Sequence, residues 1–201
     1  MEIRALVFDP DEFYTVPIED YIRISTAVVL LAALLEVSSL LYRASVVVQA
    51  TDIDLGGGPI IPAMTVMGVM MLFPLVAGWL LISGVFFWTS KLFDGQRNFR
   101  SLAMYVAWGF TPQALSSIYN LVVFAVLFRS AESVTGIAQI NSHPAVVAGS
   151  ILGAACLAWT AFLWIFAVKH ARELSLREAT YTVAPVAVLL VLYGIYQIPI
   201  W

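Results

Sequence analysis

Five long apolar blocks separated by short polar links organise the chain. The blocks run from about Tyr21 to Val48, Pro62 to Ser90, Ser101 to Phe128, Pro144 to Val168 and Thr180 to Ile200. A helix rises about 1.5 Å per residue, so each block roughly matches or exceeds the ~30 Å hydrocarbon core of a bilayer. Inside lipid a backbone must satisfy its own hydrogen bonds, and a helix does so. The pattern predicts an all-α fold, a polytopic membrane helical bundle of five transmembrane helices over residues 21–201, behind a short head over residues 1–20. The longer blocks must tilt, kink or protrude. Pro74, Pro112 and Pro185 mark expected kinks, because proline removes an i to i−4 hydrogen bond.

Composition agrees and excludes a soluble domain. In 201 residues, 61% are hydrophobic and 11% charged, against about 45–50% apolar and about 25% charged in ordinary soluble domains. The few charges fix an orientation. Arg4, Arg23, Lys91, Arg97, Arg100, Lys169, Arg172 and Arg177 all fall on the side of the N-terminus, leaving Arg43 and Arg129 on the other. The positive-inside rule then predicts a cytoplasmic N-terminus and an external C-terminus. The head is acidic, with Glu2, Asp9, Asp11, Glu12, Glu19 and Asp20 against Arg4, and has no basic start before an apolar core, so no cleaved signal peptide is expected.

Helix-start signals gather on the predicted inner side. In FDPDEFY, Asp9 is placed to cap, Pro10 to open the helix and Glu12 to complete a capping-box-like pair, giving a short helix expected along the headgroup layer. Ser175 and Glu178 repeat that pattern before the fifth span. Between spans two and three, Asp94, Gly95 and Asn98 supply a tight turn. The 2–3 and 4–5 hairpins each carry a tryptophan, a basic inner boundary, Ser-Leu at re-entry and a proline in the second limb, a weak internal repeat. Outside, QATDIDLGGGPIIP reads as an irregular turn; Asp52 and Asp54 alone do not make a calcium site.

These elements resemble a known family. Pro10, Phe13 and Tyr14 before the first span, Gly95, Arg97 and Arg100 in the basic link, Tyr105 and Pro112 in the next helix, and His170, Leu174 and Ser175 between the last two spans are similar to the YIP family, the Ypt/Rab-interacting-protein type of five-span membrane domain. The resemblance implies a multi-pass membrane protein of the kind that, in eukaryotes, works in vesicle trafficking, organises membrane and meets Rab-type GTPases through partners. Eukaryotic members have a long soluble N-terminal region, whereas about 20 residues precede the first span here, so Rab binding is not carried over. A short prokaryotic-like member of the plasma membrane is the expectation.

Within the spans, Glu36 is the sole acid. A carboxylate in hydrocarbon is costly, so Glu36 is expected either to be protonated or to turn inward to a polar partner. Gln113, Ser116 or Ser117, and Asn120 share a face of span three and are its natural partners. Interhelical hydrogen bonding is the ordinary role of such a cluster; a proton or solute path is the other. Arg43, seven residues beyond Glu36, is expected to snorkel outward. Gly149 and Gly153 form a small-xxx-small step that lets another helix approach, within the bundle or in a homo-oligomer. Met64, Met67, Met70 and Met71 read as adaptable packing, and Trp88 and Trp201 as interfacial anchors.

Catalytic chemistry finds no foothold. The lone Cys156 excludes an intrachain disulfide, His143 and His170 fall on opposite faces, and no phosphate loop, metalloprotease or nucleophile motif occurs. No cofactor, metal or nucleic acid is expected. The leading expectation is a non-enzymatic membrane-organising or trafficking-type scaffold. Its cytoplasmic face would comprise Pro10, Phe13, Arg97, Arg100, His170, Arg172 and Arg177, open to lipid and protein partners. The alternative is a small transporter or channel subunit centred on Glu36, Gln113, Ser116 and Asn120.

Overall fold

Local capping chemistry sets where the helices begin. In the computed structural model, which describes residues 3–15, 22–50, 60–96, 98–128 and 142–198, the head forms α1 (Ile3–Phe8) and α2 (Pro10–Phe13). Asp9 Oδ1 accepts the Glu12 N–H at 3.1 Å and Pro10 opens α2, where its missing N–H costs nothing. The spans follow as α3 (Ile22–Ala50) and α4 (Ile60–Ser90), then α5 (Phe99–Trp108), α6 (Thr111–Phe128), α7 (Pro144–Arg172) and α8 (Leu176–Tyr196). Among the described residues five spans are long and apolar enough to cross a membrane, α5 and α6 together making the third. The Asp52–Asp54 link, Arg97, Arg129 and Trp201 lie outside the described residues, as does the Arg43 side chain.

The third span is broken, where the sequence pattern predicts one kinked helix. Pro112 has no N–H to give the Trp108 carbonyl, and Thr111 Oγ1 donates to that carbonyl instead, at 2.8 Å. The chain tightens just before it, with Gly109 N–H bonding Val106 O at 3.0 Å and Phe110 N–H bonding Ala107 O at 3.1 Å. Pro74 and Pro185, in contrast, sit inside helices that continue through them.

That break frees α5 to become the centre of the fold. Every residue from Ser101 to Trp108 is buried. Two neighbouring spans donate indole N–H groups to its carbonyls, Trp79 to Ala103 O at 2.9 Å and Trp164 to Val106 O at 3.1 Å, and Trp108 donates to Ser25 Oγ at 3.0 Å. A buried indole N–H needs such a partner, so these bonds fix the mutual register of α3, α4, α5 and α7. The spans then close in the order α3, α6, α7, α8, α4 and back to α3, with α5 packed against α3, α4 and α7 at one end. Gly149 and Gly153 face α6 of the same chain, at Asn120 and Tyr119 and at Ser116 respectively, so their small-residue step serves packing within the bundle.

Candidate functional site

The end of the bundle stopped by α5 also collects the basic residues. Its two turns each pass through a left-handed non-glycine residue, Asp94 at φ 54° and Glu173 at φ 57°, and each re-enters through a cap. Asn98 Oδ1 accepts the Ser101 N–H at 2.9 Å, and Ser175 with Glu178 completes a capping box.

Arg172 joins the two turns. Its Nη2 donates to Gly95 O at 2.5 Å and its Nε to Ser90 Oγ at 2.9 Å, while its own carbonyl accepts the Gln96 N–H at 3.0 Å. The guanidinium lies 4.6 Å from the centre of the Phe87 ring, a cation–π contact, and only 1% of the residue is exposed. Gly95 is required by this clamp, because a Cβ there would stand 2.9 Å from Ser90 O and 3.1 Å from Arg172 Nε.

The head is pinned onto the same end. Asp11 Oδ1 receives Lys169 Nζ at 2.5 Å and lies 2.6 Å from His170 Nε2. Hydrogen bonds from Lys169 first and His170 second hold the Asp11 carboxyl below the usual carboxylate range. Leu6, Phe13 and Tyr14 insert into the bundle with 2% exposure or less. Phe13 meets Trp108 edge-on at 5.3 Å, and Tyr14 stacks on Tyr105 at 5.7 Å between centroids. The Tyr14 hydroxyl is buried with no hydrogen-bond partner among the described residues, and burial pushes its phenol well above the ordinary value. The head is therefore part of the bundle core, not only a helix along the headgroup layer as the sequence suggests.

The predicted partner face thus divides in two. Pro10, Phe13 and Arg172 are buried and hold the end together, because ring packing and the Arg172 clamp draw them inward. Arg100 and Arg177 are exposed, and His170 is half-buried beside Asp11. Arg177 stays near its own helix, with Nε 3.1 Å from the Tyr181 hydroxyl. Arg97 lies outside the described residues. Sequence reasoning missed Asp11 and Lys169 as a pair; the signal was the acidic head facing a basic loop. Exposed Phe8, Leu92 and Trp88 ring this end, with Lys91 Nζ 4.3 Å above the Trp88 ring.

In the interior, Glu36 meets the face predicted for it, through the second of the two candidate serines. Ser117 Oγ lies 2.7 Å from Glu36 Oε2, and also 3.0 Å from Gln113 O. Ser116 is turned instead toward Gly153. Gln113 Nε2 reaches Thr160 Oγ1 at 3.4 Å, a long contact. Glu36, Gln113 and Asn120 line a half-open cleft of about 580 Å³, which meets an apolar chamber of about 260 Å³ at Glu36, Gln113 and Leu157. Among the described residues no group of three His, Cys, Asp or Glu side chains is placed to hold a metal.

A ring of five apolar spans with capped turns at one end defines an integral, multi-pass helical membrane protein. The Yip1 domain model matches residues 4–197, and the chain belongs to that family. No curated protein and no solved structure matches it.

Proposed function

We propose that this chain is a non-enzymatic, membrane-organising scaffold of the trafficking type, with its basic end in the cytoplasm and, in a prokaryotic cell, its home in the plasma membrane. The observation that carries this reading is the joining of three distant segments into one surface. Arg172 ties the 94–98 turn to the 173–175 turn, and Asp11 ties the head to Lys169 and His170. A surface held in one shape loses little conformational entropy when it is bound, which favours recognition. Exposed Arg100 and Arg177 give it cationic contacts for acidic protein segments.

The test places a photo-crosslinking residue at Arg100 or Arg177 in native membranes, with captured material identified by mass spectrometry. One recurrent protein adduct from both positions, lost on charge reversal at Arg100, supports a scaffold. Adducts with lipid or with other copies of the chain alone would sink it.

A further inference from the structure

The interior cleft has the shape and the chemistry of a ligand site. We propose that it binds a protonated amine carrying an apolar substituent, with the ammonium at Glu36 and the substituent in the adjoining chamber. Membrane bundles normally fill their interior with side chains, yet here about 580 Å³ lies between α3, α6, α7 and α8, with a further 260 Å³ beyond Glu36. The larger volume falls within the range of small-molecule pockets.

The two chambers differ in character. The larger one is mixed, with Glu36, Gln113, Asn120, Ser150 and Gln197 set among Leu40, Phe124, Val146 and Leu157. Apart from Glu36, Gln113, Ser117 and Thr160, the smaller is bounded by aliphatic and aromatic side chains, with Val29, Leu75, Ile82 and Trp164 among them. Glu36 stands where they meet. Its Oε2 is engaged by Ser117, and its other carboxylate oxygen has no protein partner among the described residues. No Lys, Arg or His lines either chamber among those residues, so the field at Glu36 favours a cation.

Of the glycines around the cleft Gly153 is the one with room beside it; at Gly149 and Gly194 a Cβ would stand 2.5 Å from Asn120 Oδ1 and 2.6 Å from Leu157 Cδ1. Gly149, Gly153 and Gly194 line the larger chamber, and a Cβ on Gly153 would meet only Ser116 Oγ, at 3.4 Å. A larger side chain there extends into the chamber. The larger cleft, walled by α3, α6, α7 and α8, is half open, which gives it a mouth. An amine could arrive through it from water or as the ammonium headgroup of a lipid.

The probe pair is n-hexylamine and n-hexanol, equal in tail length and different in charge. Binding is read by saturation-transfer NMR titration of the full chain in phosphatidylcholine nanodiscs, against empty nanodiscs. Hexylamine should bind at least about tenfold more tightly than hexanol, a difference worth about 1.4 kcal/mol. Glu36→Gln should abolish that preference while leaving hexanol unchanged, and Gly153→Leu should weaken both probes. Glu36→Gln is nearly isosteric, so the test survives if Gly153→Leu fails to fold. Nanodiscs containing phosphatidylethanolamine separate the sources: loss of the hexylamine signal assigns the site to a lipid headgroup, and its persistence assigns it to free amines. Equal binding of the two probes, or an amine preference retained in Glu36→Gln, overturns the proposal.

Discussion

Gly109 is glycine because the Trp164 indole occupies the place of its side chain. A Cβ there would lie 2.3 Å from both Cδ1 and Nε1 of Trp164, whose ring also donates the bond to Val106 O. Gly84, inside α4, has nothing within 4 Å of the same position. The two residues look alike in sequence and differ wholly in what a methyl group would meet. Gly109→Ala should destabilise by about 1–3 kcal/mol through overpacking, and more if the indole bond is lost. Gly84→Ala should be neutral or stabilising by up to about 1 kcal/mol, since alanine favours helix. Denaturant unfolding in one detergent, followed by tryptophan emission, checks both. Equal effects would mean that Trp164 yields and the interlock is weak.

At the scale of elements, the head shows what the pattern could and could not reveal. The spans were legible because length and apolarity are enough to define a membrane helix, and the caps at Asp9 and Ser175 because their side chains act within three residues. The face that Glu36 meets was legible but not which of Ser116 and Ser117 would touch it, because helical spacing gives a face and not a rotamer. A kink near Pro112 was legible, but the seating of Trp164 against Gly109 and the burial of Phe13 against Trp108 were not, since each depends on a residue distant in the chain. Docking of α2 rests chiefly on those rings. Phe13→Ala should cost the docked state about 3–5 kcal/mol and open residues 10–14 to hydrogen exchange. Asp11→Asn should cost at most about 1 kcal/mol, because the carboxylate is half exposed. The Asp11 value is lowered on docking, so its contribution is present above about pH 4, the unfolded value, and is lost as pH falls through the docked one. Exchange rates of wild type and Asp11→Asn should differ at pH 7 and converge as pH falls through the docked Asp11 value; a difference unchanged once the carboxyl has been titrated would remove Asp11 from the latch.

For the whole molecule the decisive quantity is orientation, because both proposals acquire their biological direction from it. The charged end and the Glu36 cleft are separated along the bundle by α5, so a ligand at one end does not share solvent with a partner at the other. The lysine and arginine bias predicts that the head end is retained in the cytoplasm. Cys156 is the only cysteine in the chain, so a Cys156→Ser background permits single-cysteine labelling. Phe8 and Tyr196, 78% and 76% exposed, lie near the two ends and are suitable positions. In right-side-out vesicles an impermeant maleimide should label Tyr196→Cys and spare Phe8→Cys, and inverted vesicles should exchange the two results. The reverse pattern would place Arg100 and Arg177 outside, removing the cytoplasmic scaffold while leaving the amine site intact but facing the cell interior. Labelling of both positions in right-side-out vesicles would instead mean dual insertion, which a basic excess of this size opposes. A single orientation in the predicted sense leaves the basic end available to cytoplasmic partners and the cleft to amines entering from the opposite leaflet.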